Sequence, residues 1–411
     1  MEKIELLAPA GDLEKLKIAI DYGADAVYFG GELFSLRAGA GNLSLSEIKE
    51  GLSYAHARQK KCYLAVNIFA HNEDIVPFTD YIEQVKDLGI DAYIVSDPGL
   101  IMLIKEIIPN AELHLSTQAN MTNYKTATFW RKQGVTRIVL ARELTFKEIK
   151  ELNLNMPSDM QMEAFVQGAM CISYSGRCLL SNFMIERDAN RGQCAHPCRW
   201  KYNLVEEQRP GEYFPVEEDE RGTYILNSRD LCMIEHIPEL IEAGIQSVKI
   251  EGRMKSVFYV ATVVGAYRRA IDAYYEDPAT YQFNDIWLTE LKKVSHREFT
   301  TGFYFDKPTN KDQNYQTSAY TRAYTFIGIV KHYDDETHMA VVEQRNKMNI
   351  GDEIEAFGPY KDYFTQKLAI MLDETGETIT SAPHAQQIVQ IKMDKPVSAG
   401  FILRKRAGKN M

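Results

Sequence analysis

No run of about 18 apolar residues occurs in the sequence, so no segment is expected to span a membrane. The opening MEKIELLAPAGDLEK lacks the basic stretch and apolar core of a secretory leader, and a cytoplasmic location is expected. Positive charge is scarcer than negative: 47 Lys and Arg against 57 Asp and Glu leave a formal charge of −10. A general affinity for polyanions is thereby excluded, and any nucleic-acid contact must use local basic patches. There is no H-E-x-x-H zinc helix, no G-x-S-x-G nucleophile elbow and no P-loop. Cysteine is sparse too, with six in 411 residues, but it is not scattered.

Cys171, Cys178, Cys194 and Cys198 share one short stretch with the spacing C-x6-C-x15-C-x3-C. In a reducing compartment such a group reads as a ligand set rather than as disulfides. Thiolates suit zinc or iron–sulfur clusters. Structural zinc sites usually pair cysteines about two to four residues apart. Here Cys194 and Cys198 do so, and Cys171 and Cys178 do not. The spacing favours a [4Fe–4S] cluster, with zinc as the alternative. Four buried structural thiols are the remaining possibility. Cys62 and Cys232 read as core residues.

Short apolar, β-rich runs alternate with amphipathic helical stretches. The runs cover 4–9, 26–30, 62–69, 92–97, 112–117, 137–142, 161–168 and 247–252. Between the third and fourth, Phe78, Ile82, Val85 and Leu88 keep helical spacing and Gly89 stops the helix. Eight strands alternating with helices predict a (β/α)8 TIM-like barrel, and a doubly wound open sheet is the alternative. The rhythm breaks once, between the last two strands. Residues 169–246 there read as a cysteine-rich insertion leaving the C-terminal end of strand seven. The barrel domain is thus expected over 1–276 and a helical connector over 277–323. Residues 324–411 read as a small all-β barrel, from runs such as FIGIVKHY and QQIVQIKM parted by turn signals. The terminal Arg404, Lys405, Arg406 and Lys409 read as a solvated basic tail.

The stretch EAFVQGAMCISYSGRCLLS, Glu163 to Ser181, resembles the signature of peptidase family U-32, the collagenase-like proteins. LLAPAGDLEKLKIAIDYGADAVYFGG near the start and SVKIEGRMKS are also similar to that family, and the C-terminal barrel resembles the domain appended in its longer members. The resemblance runs from residue 4 to about residue 275, plus that domain. It implies a [4Fe–4S] cluster on Cys171, Cys178, Cys194 and Cys198, and RNA hydroxylation as the activity. One branch acts on wobble uridines of tRNA with prephenate as co-substrate, giving 5-hydroxyuridine, and another on a ribosomal RNA cytidine. A third, shorter branch works in oxygen-independent ubiquinone synthesis. The cysteines match the RNA-hydroxylating pattern, and the appended β-domain favours the tRNA branch. The resemblance thus implies tRNA as a partner, alongside a homologous partner subunit. Against this stand a peptidase, as the family name says, and a non-catalytic scaffold stabilised by its metal.

In a barrel, polar residues at strand C-termini converge on one mouth. Here these are Asn67, Asp97, Thr117, Gln118, Arg142, Gln167, Glu251 and Arg253, with Arg37 in the loop after strand two. Prephenate carries two carboxylates, and the Arg fork matches a carboxylate bidentately. Two of Arg37, Arg142 and Arg253 are therefore expected to clamp it, with Asn67, Gln118 and Glu251 as further substrate contacts. The alternative for each Arg is a structural ion pair, for instance with Glu143 or Glu251. Glu163, Asp97 and His196 are acid–base candidates by location. Tyr174, Phe183, Trp200 and Tyr202 flank the cysteines, where they either stack a splayed base or shield a metal site.

Overall fold

The computed structural model of the chain describes residues 3–36, 41–170, 178, 180–199, 204–205, 213–214, 218–219, 222–223, 229–306 and 322–408. Arg37, Cys171, Tyr174, Trp200, Tyr202 and Lys409, and the side chain of Phe183, lie outside that description.

Eight parallel strands close on themselves: β1 (Glu5–Ala10), β2 (Ala26–Phe29), β3 (Lys61–Val66), β4 (Ala92–Val95), β5 (Leu113–Leu115), β6 (Val135–Val139), β7 (Gln161–Ala169) and β8 (Ser247–Ile250). Closure is made twice over by β8, which pairs Glu5 with Ser247 on one side and Ser247 with Glu163 on the other. The sheet is the expected TIM-like barrel, and the open doubly wound sheet is set aside. Runs such as AVYF in β2 are buried at every position. Helices cover their outer face and side chains fill the inner one, so they show no polar alternation. The helix expected after β3 runs Ile75–Val85 and buries Phe78, Ile82 and Val85.

Most helices that follow a barrel strand start on a side-chain cap, the helix Ile75–Val85 after β3 being an exception. Asp12, Ser44, Asp97, Asn123 and Thr145 each accept a backbone N–H from the first turn, and Ser44 and Thr145 form capping boxes with Glu47 and Glu148. These caps fix where the chain leaves the mouth of the barrel.

Between β7 and β8 the chain leaves and returns. It comes back at Asp230–Cys232, which pairs antiparallel with the end of β7, and Phe299–Thr300 extends the sheet further. Residues 230–246, within the span expected as insertion, thus belong to the barrel layer. They include the helix Ile237–Glu242, whose Ile237 and Leu240 join the main core.

Residues 322–408 carry a seven-stranded antiparallel half-barrel around its own core of Ile327, Val330, Val342, Ile354, Val389 and Leu403. Its third strand in spatial order is Ile402–Arg406. The supposed basic tail is therefore mostly a sheet strand. Arg404 is fully buried and pairs with Glu290 and Glu355, each at 2.8 Å. Lys405 pairs with Asp352 at 2.6 Å. Among the described residues no helix is long and apolar enough to cross a membrane.

Candidate active site at the barrel mouth

The C-terminal ends of the strands enclose a cavity of about 70 Å³. A single water needs roughly 10–15 Å³ on that measure, so there is room for a small organic ligand group. Asn67, Thr117, Gln118, Arg142, Glu251 and Arg253 all line it, as the strand-end argument expected. Tyr28, Ile94, Val139 and Phe165 supply apolar walls.

The polar groups are poised rather than consumed. Asn67 donates from Nδ2 to Ser116 Oγ at 3.1 Å, while its Oδ1 is buried without a hydrogen-bond partner. Gln118 Oε1 and Arg142 Nε are in the same state. An unsatisfied buried polar atom costs about 1–3 kcal/mol, and three such atoms belong to residues that line this one cavity. Arg142 donates from Nη1 to the Ala169 carbonyl at 3.1 Å. Among the described residues no carboxylate pairs with Arg142, so the ion pair considered with Glu143 is not formed. Arg253 is 5% exposed and donates to Ser35 Oγ at 2.5 Å. Arg37, the third expected clamp, lies outside the described residues. Gln167 is turned to a structural task, accepting from Tyr267 Oη at 3.1 Å.

The acid–base candidates separate. Asp97 is the cap of helix Pro98–Ile107, its Oδ1 accepting from the N–H groups of Gly99 and Leu100 at 2.8 and 3.1 Å. It does not line the cavity, and capping accounts for it. His196 is exposed, with backbone φ of +57°, and does not line the cavity either. Glu163 lies inside the barrel, fully buried beneath the cavity. Its Oε1 accepts from Lys249 Nζ at 2.7 Å, and its Oε2 lies 3.4 Å from Arg137 Nη1. Arg137 in turn holds Glu5 Oε1 at 2.5 Å.

Sequence reasoning missed Lys249, which lines the cavity from β8. Burial pushes its ammonium pKa down, against the pull of Glu163. The signal was present: Lys249 interrupts an otherwise apolar strand and shares a face, by alternation, with Ser247 and Glu251. His114 in the barrel interior is held well below the ordinary imidazole range by burial and by Arg137 and Lys249, and is neutral at pH 7.

Of the four clustered cysteines, Cys178, Cys194 and Cys198 are described. All three are partly exposed and none forms a disulfide. Local bonds gather their segments: Asn190 grips Cys178 through its N–H at 3.3 Å and its carbonyl at 3.0 Å, and Ala195 N–H donates to Ser181 Oγ at 3.2 Å. The His196 N–H points at Cys194 Sγ, 3.4 Å away, the kind of bond that tunes a metal-bound thiolate. Among the described residues no three His, Cys, Asp or Glu side chains converge closely enough to hold a metal ion. Cys178, Cys194 and Cys198 thus do not by themselves form a metal site here, and the fourth expected member, Cys171, lies outside the described residues.

Two family descriptions match the chain: Peptidase family U32 over residues 11–314, and the Peptidase family U32 C-terminal domain over 322–404. The tRNA hydroxylation protein P1 of Bacillus subtilis is 44% identical over 404 residues, spanning 98% of this chain and 95% of that protein. The tRNA hydroxylation protein P of Escherichia coli is 37% identical over 447 residues, spanning 99% and 97%. A collagenase of Porphyromonas gingivalis is 32% identical over 395 residues, spanning 93% of each. Matched along both of its parts, the chain belongs to peptidase family U32.

Proposed function

We propose that this protein hydroxylates tRNA, acting on the wobble uridine to give 5-hydroxyuridine, with prephenate as a co-substrate bound at the barrel mouth. The observation that carries this reading is the charge of the cavity. Among the described lining residues Arg142, Lys249 and Arg253 stand against the carboxylate of Glu251, with Glu163 paired to Lys249 beneath them, so the two guanidiniums outweigh one carboxylate. A site with that balance attracts a small polycarboxylate. Arg142 and Arg253 hold its two carboxylates, Asn67 and Gln118 bond its remaining polar atoms, and Tyr28 and Phe165 exclude water from its ring. The names of the two tRNA hydroxylation proteins support the tRNA hydroxylation part of this reading.

Cys178, Cys194 and Cys198, with Cys171, would hold a [4Fe–4S] cluster, zinc being the alternative. A cluster there would supply electron transfer or an open iron for substrate, whereas zinc would supply structure alone. The collagenase name of one relative is the support for peptidase activity, and no described residue of the mouth favours it.

The test is expression in a bacterial host that lacks its own tRNA hydroxylation proteins, followed by nucleoside mass spectrometry of its tRNA. The hydroxyuridine is expected to appear with this gene, and to fail when the host also cannot make prephenate. Unmodified uridine in a prephenate-competent host that accumulates the folded protein would overturn the proposal.

A further inference from the structure

Lys249 is 3% exposed, yet it lines the cavity. Its Nζ lies 4.3 Å from the centroid of the Tyr28 ring and 5.4 Å from that of Phe165. Each of those rings also faces a guanidinium. Arg253 is 5.9 Å from the Tyr28 centroid, and Arg142 is 5.6 Å from the Phe165 centroid. The amine thus stands between two carboxylate-binding groups in an apolar-walled pocket. A carboxylate held by either arginine brings the atom bonded to it toward the amine.

We propose that Lys249 is a nucleophilic amine that condenses with the keto carbon of an α-keto acid bound at the barrel mouth. The proposal rests on the mouth being an anion site, as in the preceding section, and prephenate carries such a keto acid in its pyruvyl arm. The sequence of bonds is simple. The ammonium of Lys249 gives a proton to Glu163, 2.7 Å away. The freed lone pair attacks the keto carbon, and a proton moves from nitrogen to the former carbonyl oxygen. Glu163 then returns its proton, the C–O bond breaks, water leaves, and a protonated C=N bond remains. No electrons enter or leave, so no oxidant is required.

The buried charges permit that first proton transfer. Arg137 holds Glu5 at 2.5 Å and Glu163 at only 3.4 Å. When Lys249 and Glu163 neutralise each other, the Arg137–Glu5 pair keeps the interior balanced. Removing two charges from a dry site also relieves desolvation. Burial already disfavours the charged amine, which is how enzymes ready a lysine for imine formation.

The experiment is reductive trapping. The intact protein is incubated with pyruvate or with prephenate, then treated with cyanoborohydride, which reduces an imine and spares the ketone. Prephenate binding is measured in parallel by calorimetry. The expected result is a mass gain equal to the keto acid less one oxygen, mapped to the peptide carrying Lys249. It is expected to be lost in Lys249→Arg, which keeps the positive charge, and in the neutral pair Lys249→Met with Glu163→Gln. Mapping the wild-type adduct needs no variant, so poor folding of either leaves the result readable. Prephenate binding without an adduct, or an adduct that persists in Lys249→Arg, would overturn the imine and leave the anion site standing. Pyruvate trapped on Lys249 without prephenate binding would uphold the amine and remove prephenate. Neither binding nor trapping would overturn both.

Discussion

At the scale of single residues, chemistry follows from which atoms are left without a partner. Arg142 makes one bond to a backbone carbonyl and no ion pair among the described residues. Its neighbour in role, Arg253, is braced by Ser35. A charge-assisted bond to a ligand is worth about 1.5–3 kcal/mol, so Arg142→Ala is expected to raise the co-substrate KM roughly 10–100-fold. Hydroxylation rates measured against prephenate concentration check this, and an unchanged KM removes Arg142 from the site. Arg142 was legible in the sequence because an Arg just past a barrel strand must sit at the mouth. Asp97 has the same address and a different fate, since a carboxylate just before a helix is claimed by that helix's free N–H groups. Lys249 was overlooked because a lysine within an apolar strand gives no sign of its carboxylate partner 86 residues away.

At the scale of elements, the eight barrel strands could be read because each is buried on both faces and bounded by turn residues. The strands Asp230–Cys232 and Phe299–Thr300 could not, because two or three residues carry no periodicity and pair only through contacts distant in sequence. One of them shapes the site. Leu231 pairs with Gly168 at the end of β7, and β7 slips register against β8 between Lys249 and Ile250. Such a slip re-aims the side chains beyond it, here Glu251 at the rim of the cavity. Gly168 makes the arrangement feasible. Its φ is +116°, and a Cβ there would stand 2.8 Å from the Glu251 carbonyl oxygen and 2.9 Å from the Glu251 Cβ. Gly168→Ala must therefore displace backbone at the rim. We expect it to cost at least the roughly 1–2 kcal/mol of a left-handed non-glycine residue and to weaken co-substrate binding as well. Denaturation and KM measured on the same preparation would show both effects. A fully stable variant with normal KM would mean that the rim tolerates the shift.

At the scale of the whole molecule, the two parts are joined through buried charge. Arg404 of the half-barrel meets Glu290 from the connector helix Asp285–Leu291, and Glu355 from its own sheet. Lys293 bonds both carboxylates at 2.9 Å. Tyr22, at the end of the first barrel helix, donates to the carbonyls of Phe357 and Gly400 across the same boundary. A basic run at a chain end reads as a solvated tail when its partners lie 49 to 114 residues upstream, which is why this joint was invisible in the sequence. Burial by itself would raise the Glu355 pKa, but Arg404 and Lys293 overcome it and hold the carboxyl below its ordinary range. The sign of the linkage follows. A carboxyl with a lowered folded pKa stabilises the fold fully above its unfolded value, about 4.3, and that stability is lost as pH falls through the folded pKa. The joint is therefore expected to weaken on the acid side of pH 4. Arg404→Met should remove that acid sensitivity and, by leaving two buried carboxylates facing Lys293 alone, cost about 3–5 kcal/mol near neutral pH. Denaturant unfolding of wild type and variant from pH 3 to pH 7 separates the possibilities. Curves that differ by a constant amount at every pH would show that Arg404 acts through packing on Phe357 and Tyr363 rather than through charge.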